Sequence, residues 1–240
     1  MISRLFADQI SFLAEGRNMP VLAKTSLNIM PGEFVVILGH NGSGKSTLIK
    51  ILSGEKAPAT GMVFVDQKAI AKIETSKRAC SIITLTQKPE QRLFPNLTLF
   101  ENIALWEDRF PKNEQLVSEQ IIQITGRSSR YSKLLNDKVS VLSGGEKQAF
   151  LLALTLAHPP SILFLDEHTS SLDPSASDEI MQLTAKSVED HKITTVMVTH
   201  QLADALDYGN RIIILKEGVM VQDIKKPSNI TIAQLKQMME

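Results

Sequence analysis

The chain has little of what would tie it to an oxidising compartment, to nucleic acid or to the inside of a bilayer. Cys80 is the single cysteine among 240 residues, so no intrachain disulfide can form, and a reducing compartment fits that count. A lone cysteine of this kind is expected as a small core residue. Neither sign of charge is in excess: 26 basic residues face 26 acidic ones, which removes the basic footprint that non-specific DNA or RNA binding needs. No apolar run approaches the roughly 18 to 20 residues that cross a bilayer. The best candidates, Phe34 to Leu38 and Ile162 to Leu165, are strand-sized. The N-terminus, Met1-Ile2-Ser3-Arg4-Leu5, lacks signal-peptide architecture. The expectation is a soluble, cytoplasmic chain whose membrane role, if any, passes through a partner.

What is present is ordinary globular composition, 43% hydrophobic and 22% charged, without the signature of disorder. The length fits one domain carrying a subdomain better than two independent domains. Two β-like stretches, around Ile2 to Phe12 and Ala23 to Ile29, flank a turn at Glu15-Gly16-Arg17-Asn18 and predict an antiparallel hairpin-like edge. The run Phe34-Val35-Val36-Ile37-Leu38 predicts a strand buried on both faces, and a helix follows through Leu48, Ile49, Ile51 and Leu52. From about Pro89 to Val141 the texture is helical, with helices expected at Leu99 to Trp106 and Asn113 to Thr125.

After Gly145 the alternation of helix and strand returns. Strands are expected at Ile162 to Leu165, Thr194 to Thr199, Arg211 to Leu215 and Val219 to Asp223. Helices are expected from Glu146, Ser175 to Val188, Leu202 to Tyr208 and Ile232 to Met239. Such alternation predicts an α/β fold with a largely parallel sheet covered by helices.

Between strand and helix lies Gly39-His40-Asn41-Gly42-Ser43-Gly44-Lys45-Ser46-Thr47, which has the phosphate-loop spacing of Gly, four residues, Gly, Lys, then Ser or Thr. Glycines let backbone N–H groups converge on β- and γ-phosphates, and the helix N-terminus adds its positive end. In such a loop Lys45 pairs with β/γ oxygens and Ser46 ligates Mg²⁺. Ile162 to Leu165 ends in Asp166-Glu167, at the strand end where ligands sit in open α/β sheets. Asp166 suits the Mg²⁺ shell, through water, and Glu167 suits a general base for the attacking water. Gln87 follows the apolar stretch Ile82 to Thr86 and precedes the helical segment. That makes it a candidate for metal and water contact and a candidate hinge. His200 follows another apolar strand and is a candidate for hydrogen-bonding the γ-phosphate or ordering water.

A second glycine motif, Leu142-Ser143-Gly144-Gly145-Glu146-Lys147-Gln148, opens the helix after the helical segment. Ser143 is a good helix N-cap, and Gly144 and Gly145 keep N–H groups clear, so this end also suits an anion. One triphosphate does not need two such ends from one chain. The economical arrangement places Ser143 and Gly145 of a second copy over the γ-phosphate held by the first, with Gly144 and Glu146 in the same signature.

With these elements in order, the chain resembles an ATP-binding cassette (ABC) ATPase over essentially its whole length. The resemblance rests on the phosphate loop, Gln87, the signature Leu142 to Gln148, Asp166-Glu167, the loop Ser171-Leu172-Asp173 and His200. It implies a phosphate-loop NTPase core with a parallel-rich sheet, an N-terminal antiparallel β subdomain and a helical signature subdomain. Residues 1–88 and 142–240 would form the core and 89–141 the helical insertion, all within one domain. It further implies ATP and Mg²⁺ as ligands, and a head-to-tail homodimer with Ser171 and Asp173 near its interface. The expected setting is a membrane permease at the inner face of the cell membrane, with an extracytoplasmic substrate-binding protein.

Two positions depart from the family pattern. The aromatic residue on which the family stacks adenine is represented by Phe12, with Ala14 nearer the expected place and Val21 a further candidate. Glu146 stands where the family usually has Gln, either bringing a carboxylate to the nucleotide sandwich or pointing outward as a first-turn helix acid.

At a finer level, Asp166 to Pro174, Thr195 to His200 and Tyr208 to Arg211 resemble a bacterial subgroup of uptake ATPases assigned to tryptophan or aromatic amino acids. The alternative is a soluble ABC ATPase outside transport, although the accessory elements common in such relatives are missing. A GTPase reading lacks any Asn-Lys-x-Asp motif.

Overall fold

The computed structural model describes residues 2–16, 19–107 and 134–240. The expected helix at Asn113 to Thr125 lies outside them. The described residues fall into two compact units. The first comprises Met1–Thr84, Ser161–Glu167 and Lys192–Glu240, and the second Leu85–Pro160 and His168–His191.

The first unit holds an antiparallel sheet in the order β2-β1-β4-β5, formed by β1 (Leu5–Phe12), β2 (Leu22–Ile29), β4 (Thr60–Val65) and the short β5 (Lys68–Ala69). The expected hairpin of β1 and β2 is present. β4, which pairs along the other side of β1 from Leu5↔Val65 to Ser11↔Thr60, was not visible in the sequence pattern.

The larger sheet runs β10-β9-β3-β8-β7-β6. Its strands are β3 (Phe34–Leu38), β6 (Ile82–Thr86), β7 (Ile162–Asp166), β8 (Thr194–Val198), β9 (Arg211–Lys216) and β10 (Val219–Lys225). β3 is parallel to β8 and β9, and β7 is parallel to β8; the β9–β10 hairpin at the edge is antiparallel. The central strands β3 and β8 are buried at every position, as strands covered on both faces must be. Register then fixes the site. Val198 is level with both Ile37 and Asp166, so the residues that follow β3, β7 and β8 emerge together at one edge of the sheet.

Helices α1 (Lys45–Leu52), α6 (Leu202–Tyr208) and α7 (Ile232–Met239) belong to this unit, as does α2 (Thr75–Ser81). Leu48, Ile49, Ile51 and Leu52 of α1 join Leu5, Ile29, Ile37, Phe164, Val196 and Ile213 in one apolar core. Cys80 lies on α2 and is half-buried. The small-core-residue expectation is therefore corrected, because α2 buries no residue at all.

The second unit contains α3 (Leu99–Glu107), α4 (Gly144–Ala157) and α5 (Pro174–His191). α4 begins at Gly144 rather than Glu146, because Ser143 caps it. From Gln148 to Ala157 every residue of α4 is buried, Gln148 and Thr155 among eight apolar neighbours, as a helix with almost no polar face requires. The short bridge Thr98↔Lys138 and the bonds Leu99 N–H to Asp137 O and Val139 N–H to Leu97 O, each 3.0 Å, tie the start of α3 to the approach of α4.

Candidate functional site

In the first unit the phosphate loop is shaped by close backbone packing. A Cβ at Gly39 would lie 2.2 Å from the carbonyl oxygen of Leu215 in β9. Gly44, which caps α1 with φ 100°, would bring one within 2.6 Å of the Val21 carbonyl. No side chain fits at either place. Lys45 is 6% exposed, and its ammonium donates to the carbonyls of Gly39 at 2.7 Å and His40 at 2.9 Å. Burial pulls its pKa below the usual lysine value, and the carboxylates of Glu167 and Asp166 oppose that shift. Within the loop, the buried Ser43 Oγ has no hydrogen-bond partner among the described residues, which leaves a polar atom suited to a polar ligand.

A cavity of about 450 Å³ opens over this loop, lined by Phe12, Ala14, Val21, Asn41, Gly42, Gly44, Lys45, Ser46, Thr47, Lys56 and Glu167. Phe12, Ala14 and Val21 thus share one surface with the phosphate loop. Gly39, His40 and Ser43 shape the loop without lining the cavity. Lys56 is a lining residue that the sequence pattern did not reveal, since nothing in Glu55-Lys56-Ala57-Pro58 marks it.

Asp166 and Glu167 at the end of β7 meet different side chains, Ser46 and His200 respectively. The Ser46 hydroxyl donates to Asp166 Oδ1 at 3.3 Å. Burial pushes the Asp166 carboxyl above its ordinary value, the Ser46 hydrogen bond opposing it and the Glu167 charge adding to it. Glu167 has φ 51°, a left-handed backbone that a non-glycine residue adopts at a cost and that clusters at working sites. Its N–H donates to Val198 O at 3.0 Å, and its Oε1 lies 4.0 Å from His200 Nδ1.

Ser46 and Asp166 present hard oxygen donors side by side. Among the described residues no group of three or more His, Cys, Asp or Glu forms a metal cage. A small oxygen set completed by phosphates and water is the arrangement that suits Mg²⁺. Gln87 belongs to the second unit, where its carbonyl accepts from the Ser171 hydroxyl at 3.4 Å.

The second unit carries its own cavity of about 380 Å³, whose lining includes Ser143, Gly144, Gly145, Glu146, Ser171, Leu172 and Asp173. The signature and the Ser171–Asp173 loop therefore share one surface. Ser143 and Glu146 form a reciprocal cap on α4. The Ser143 hydroxyl accepts from Glu146 N–H at 3.3 Å and the Glu146 carboxylate accepts from Ser143 N–H at 2.9 Å. Glu146 is 7% exposed, so the outward-pointing alternative is overturned. The carboxylate turns back over the helix N-terminus because two otherwise unbonded N–H groups lie there. Asp173 Oδ1 accepts from Ala176 N–H at 3.1 Å at the start of α5. Gly145 lies close to α5, where a Cβ would come 3.3 Å from the Ala176 Cβ.

A glycine loop gripping a helix N-terminus, with a carboxylate pair at the neighbouring strand end, defines a phosphate-loop nucleoside triphosphatase. Within that class, the ABC transporter family profile matches residues 22–170. The tyrosine transport ATP-binding protein of Clostridioides difficile is 36% identical over 231 residues, 92% of this chain and 91% of that protein. The energy-coupling factor transporter ATP-binding protein EcfA1 of Mycoplasma mobile is 34% identical over 202 residues, 83% of this chain and 72% of that protein.

Among solved structures, a dimeric ATP-binding cassette in a post-hydrolysis state with ADP and Pi superposes with a TM-score of 0.78 at 29% identity, covering 92% of this chain and 98% of that one. CbiO1 of Clostridium perfringens, part of the ABC transporter complex CbiONQ, gives 0.83 at 25% identity, with 99% and 94% covered. The chain belongs to the ABC transporter family and is an ATP-binding, ATP-hydrolysing subunit of that family. No helix among the described residues is long and apolar enough to cross a membrane.

Proposed function

We propose that this ATPase works as a head-to-tail homodimer that drives a separate membrane permease, importing a small solute such as an aromatic amino acid. The observation that carries the dimer is the pairing of two anion-suited surfaces, each built within its own unit: the phosphate loop with Glu167, and the Ser143–Gly145 end of α4 with Ser171 and Asp173. In each composite site, Lys45 and the N–H groups of Asn41 to Thr47 grip the triphosphate of one copy. Ser143, Gly144 and Gly145 of the other copy close over its γ-phosphate. Adenine stacks on Phe12, with Val21 beside it.

Ser46, Asp166 and Gln87 would hold Mg²⁺, which would neutralise phosphate charge. Glu167 accepts the proton of the attacking water and His200 hydrogen-bonds the γ-phosphate. Residues 89–141 serve as the insertion that docks the permease. The exposed Phe94 and Phe100, 54% and 61% accessible, support that role, and the boundary between units just before Gln87 supports it as the hinge. The chain would then sit at the inner face of the cell membrane beside its permease, with an extracytoplasmic binding protein delivering solute. The tyrosine transport assignment of the Clostridioides difficile relative supports the solute class.

Composite sites make hydrolysis second order in the free chain. ATP turnover per chain, measured over a dilution series spanning the monomer–dimer transition, is expected to fall on dilution. A turnover per chain that stays constant while sedimentation shows only monomer overturns the dimer reading. Reconstitution with candidate membrane permeases should stimulate turnover, and failure of every membrane partner to do so overturns the transport reading.

A further inference from the structure

We propose that Lys56 competes with the nucleotide base for Phe12 and so sets how tightly the base is held. The proposal rests on the reading above that adenine stacks on Phe12. The Lys56 ammonium lies over the Phe12 ring, 3.9 Å from its centroid. A base stacked on the same face would sit at about 3.5 Å, ordinary van der Waals separation, so the two cannot occupy it together. The face in question is the working one, because Phe12 and Lys56 both line the cavity over the phosphate loop, and the ring also packs against the apolar core.

The backbone explains why this lysine is in place. α1 starts at the phosphate loop and ends at Leu52. The chain then reverses through Gly54 at φ 76°, and Lys56 N–H closes the turn onto Lys50 O at 2.8 Å. The helix that begins at the phosphates therefore returns a cation to the aromatic end of the same cavity. Its stem is exposed, so the ammonium can swing into water when a base arrives. What the base must displace is one exposed cation–π contact, a modest but real barrier to stacking.

The test compares ATP with inorganic tripolyphosphate, which has the charge without the base, by equilibrium binding to the full chain and to Lys56→Gln, Phe12→Leu and the double variant. Loss of the lysine charge acts on both ligands, so the ratio of the two affinities isolates the base. Lys56→Gln is expected to raise the preference for ATP about two- to five-fold, and in the Phe12→Leu background the same change should leave the preference unaltered. A preference that stays the same or falls in Lys56→Gln, while Phe12→Leu lowers it, overturns the role of Lys56 alone. A preference that Phe12→Leu does not lower overturns the stacking reading on which the proposal stands. Thermal melts of each variant confirm that it is folded, as the exposure of Lys56 leads one to expect.

Discussion

Glu167 and His200 are held 4.0 Å apart, Oε1 to Nδ1, by the strand that leads to the histidine. The Glu167 N–H donates to Val198 O, at the end of β8, and His200 follows in the same turn of chain. One backbone hydrogen bond thus fixes the spacing of the two chain segments that bear the carboxylate and the imidazole, which favours the proposed use of the pair in proton transfer.

Replacing Glu167 by Gln keeps the shape of the cavity and removes the proposed base. ATP turnover should fall on the order of 10²- to 10⁴-fold while ATP binding is retained, and the dimer should accumulate in ATP, seen by gel filtration. Near-normal turnover in this variant would remove Glu167 from the role of base.

The reciprocal cap of Ser143 and Glu146 separates structure from charge. Glu146→Gln retains an acceptor for Ser143 N–H, so its melting temperature should stay near that of the parent, while loss of the carboxylate from the signature surface should favour the ATP-bound dimer. Ser143→Ala removes the cap itself and is expected to cost about 1 kcal/mol, read from urea unfolding. An E146Q protein that melts like S143A and dimerises no better would show that the charge matters only for the helix.

His168 gives the fold an acid limit. It is 2% exposed, and burial pulls its pKa from 6.5 to about 4. Between those values the unfolded chain binds a proton that the folded chain refuses, so stability is full above the unfolded value and falls as the pH drops toward 4. The loss is on the order of 3 kcal/mol across that window at about 1.4 kcal/mol per pH unit. Urea midpoints between pH 7 and pH 4.5 should show this slope, and His168→Gln should flatten it. A slope unchanged by that substitution would assign the acid sensitivity to carboxylates instead.

Arg211 carries a second stability prediction. It is 5% exposed and meets Asp223 with two bonds of 2.7 Å, from Nε and Nη2. Its Nη1 reaches Asn28 O at 2.6 Å and Glu33 at 3.1 Å. The hydrogen bonds from Arg211 hold the Asp223 carboxyl below its usual value. Asp223→Ala strands the buried guanidinium with fewer partners and should cost about 1–3 kcal/mol, discounted for the one-third exposure of Asp223. A change below about 0.5 kcal/mol, the size of an ordinary surface substitution, would show that Glu33 and Asn28 satisfy the arginine unaided.

The elements legible from sequence were those that bury a continuous face. β3 and β7 announced themselves as apolar runs and β8 as an apolar stretch after two threonines, and the phosphate loop was readable because its glycines are demanded by contacts with Leu215 and Val21. β4 was hidden. Its first three residues are exposed, and what makes it a strand is long-range pairing with β1, which no local pattern records. α2 was hidden for a related reason, since it buries nothing and so has no stripe. At the site, the loop, the carboxylate pair and the signature could be named in advance. The position of Lys56 could not, because it depends on the turn at Gly54 rather than on any motif.

The near-total burial of α4 has a mechanical consequence. A helix with a wet side can bend toward solvent and absorb a small displacement at one end, but from Gln148 to Ala157 this one has no wet side. A displacement at Ser143 and Gly144 would therefore be carried along the helix rather than absorbed by bending toward solvent. Trimming Phe150, wholly enclosed in the middle of that helix, would act like a loosened bearing, blunting the motif at its tip without altering Ser143, Gly144 or Gly145.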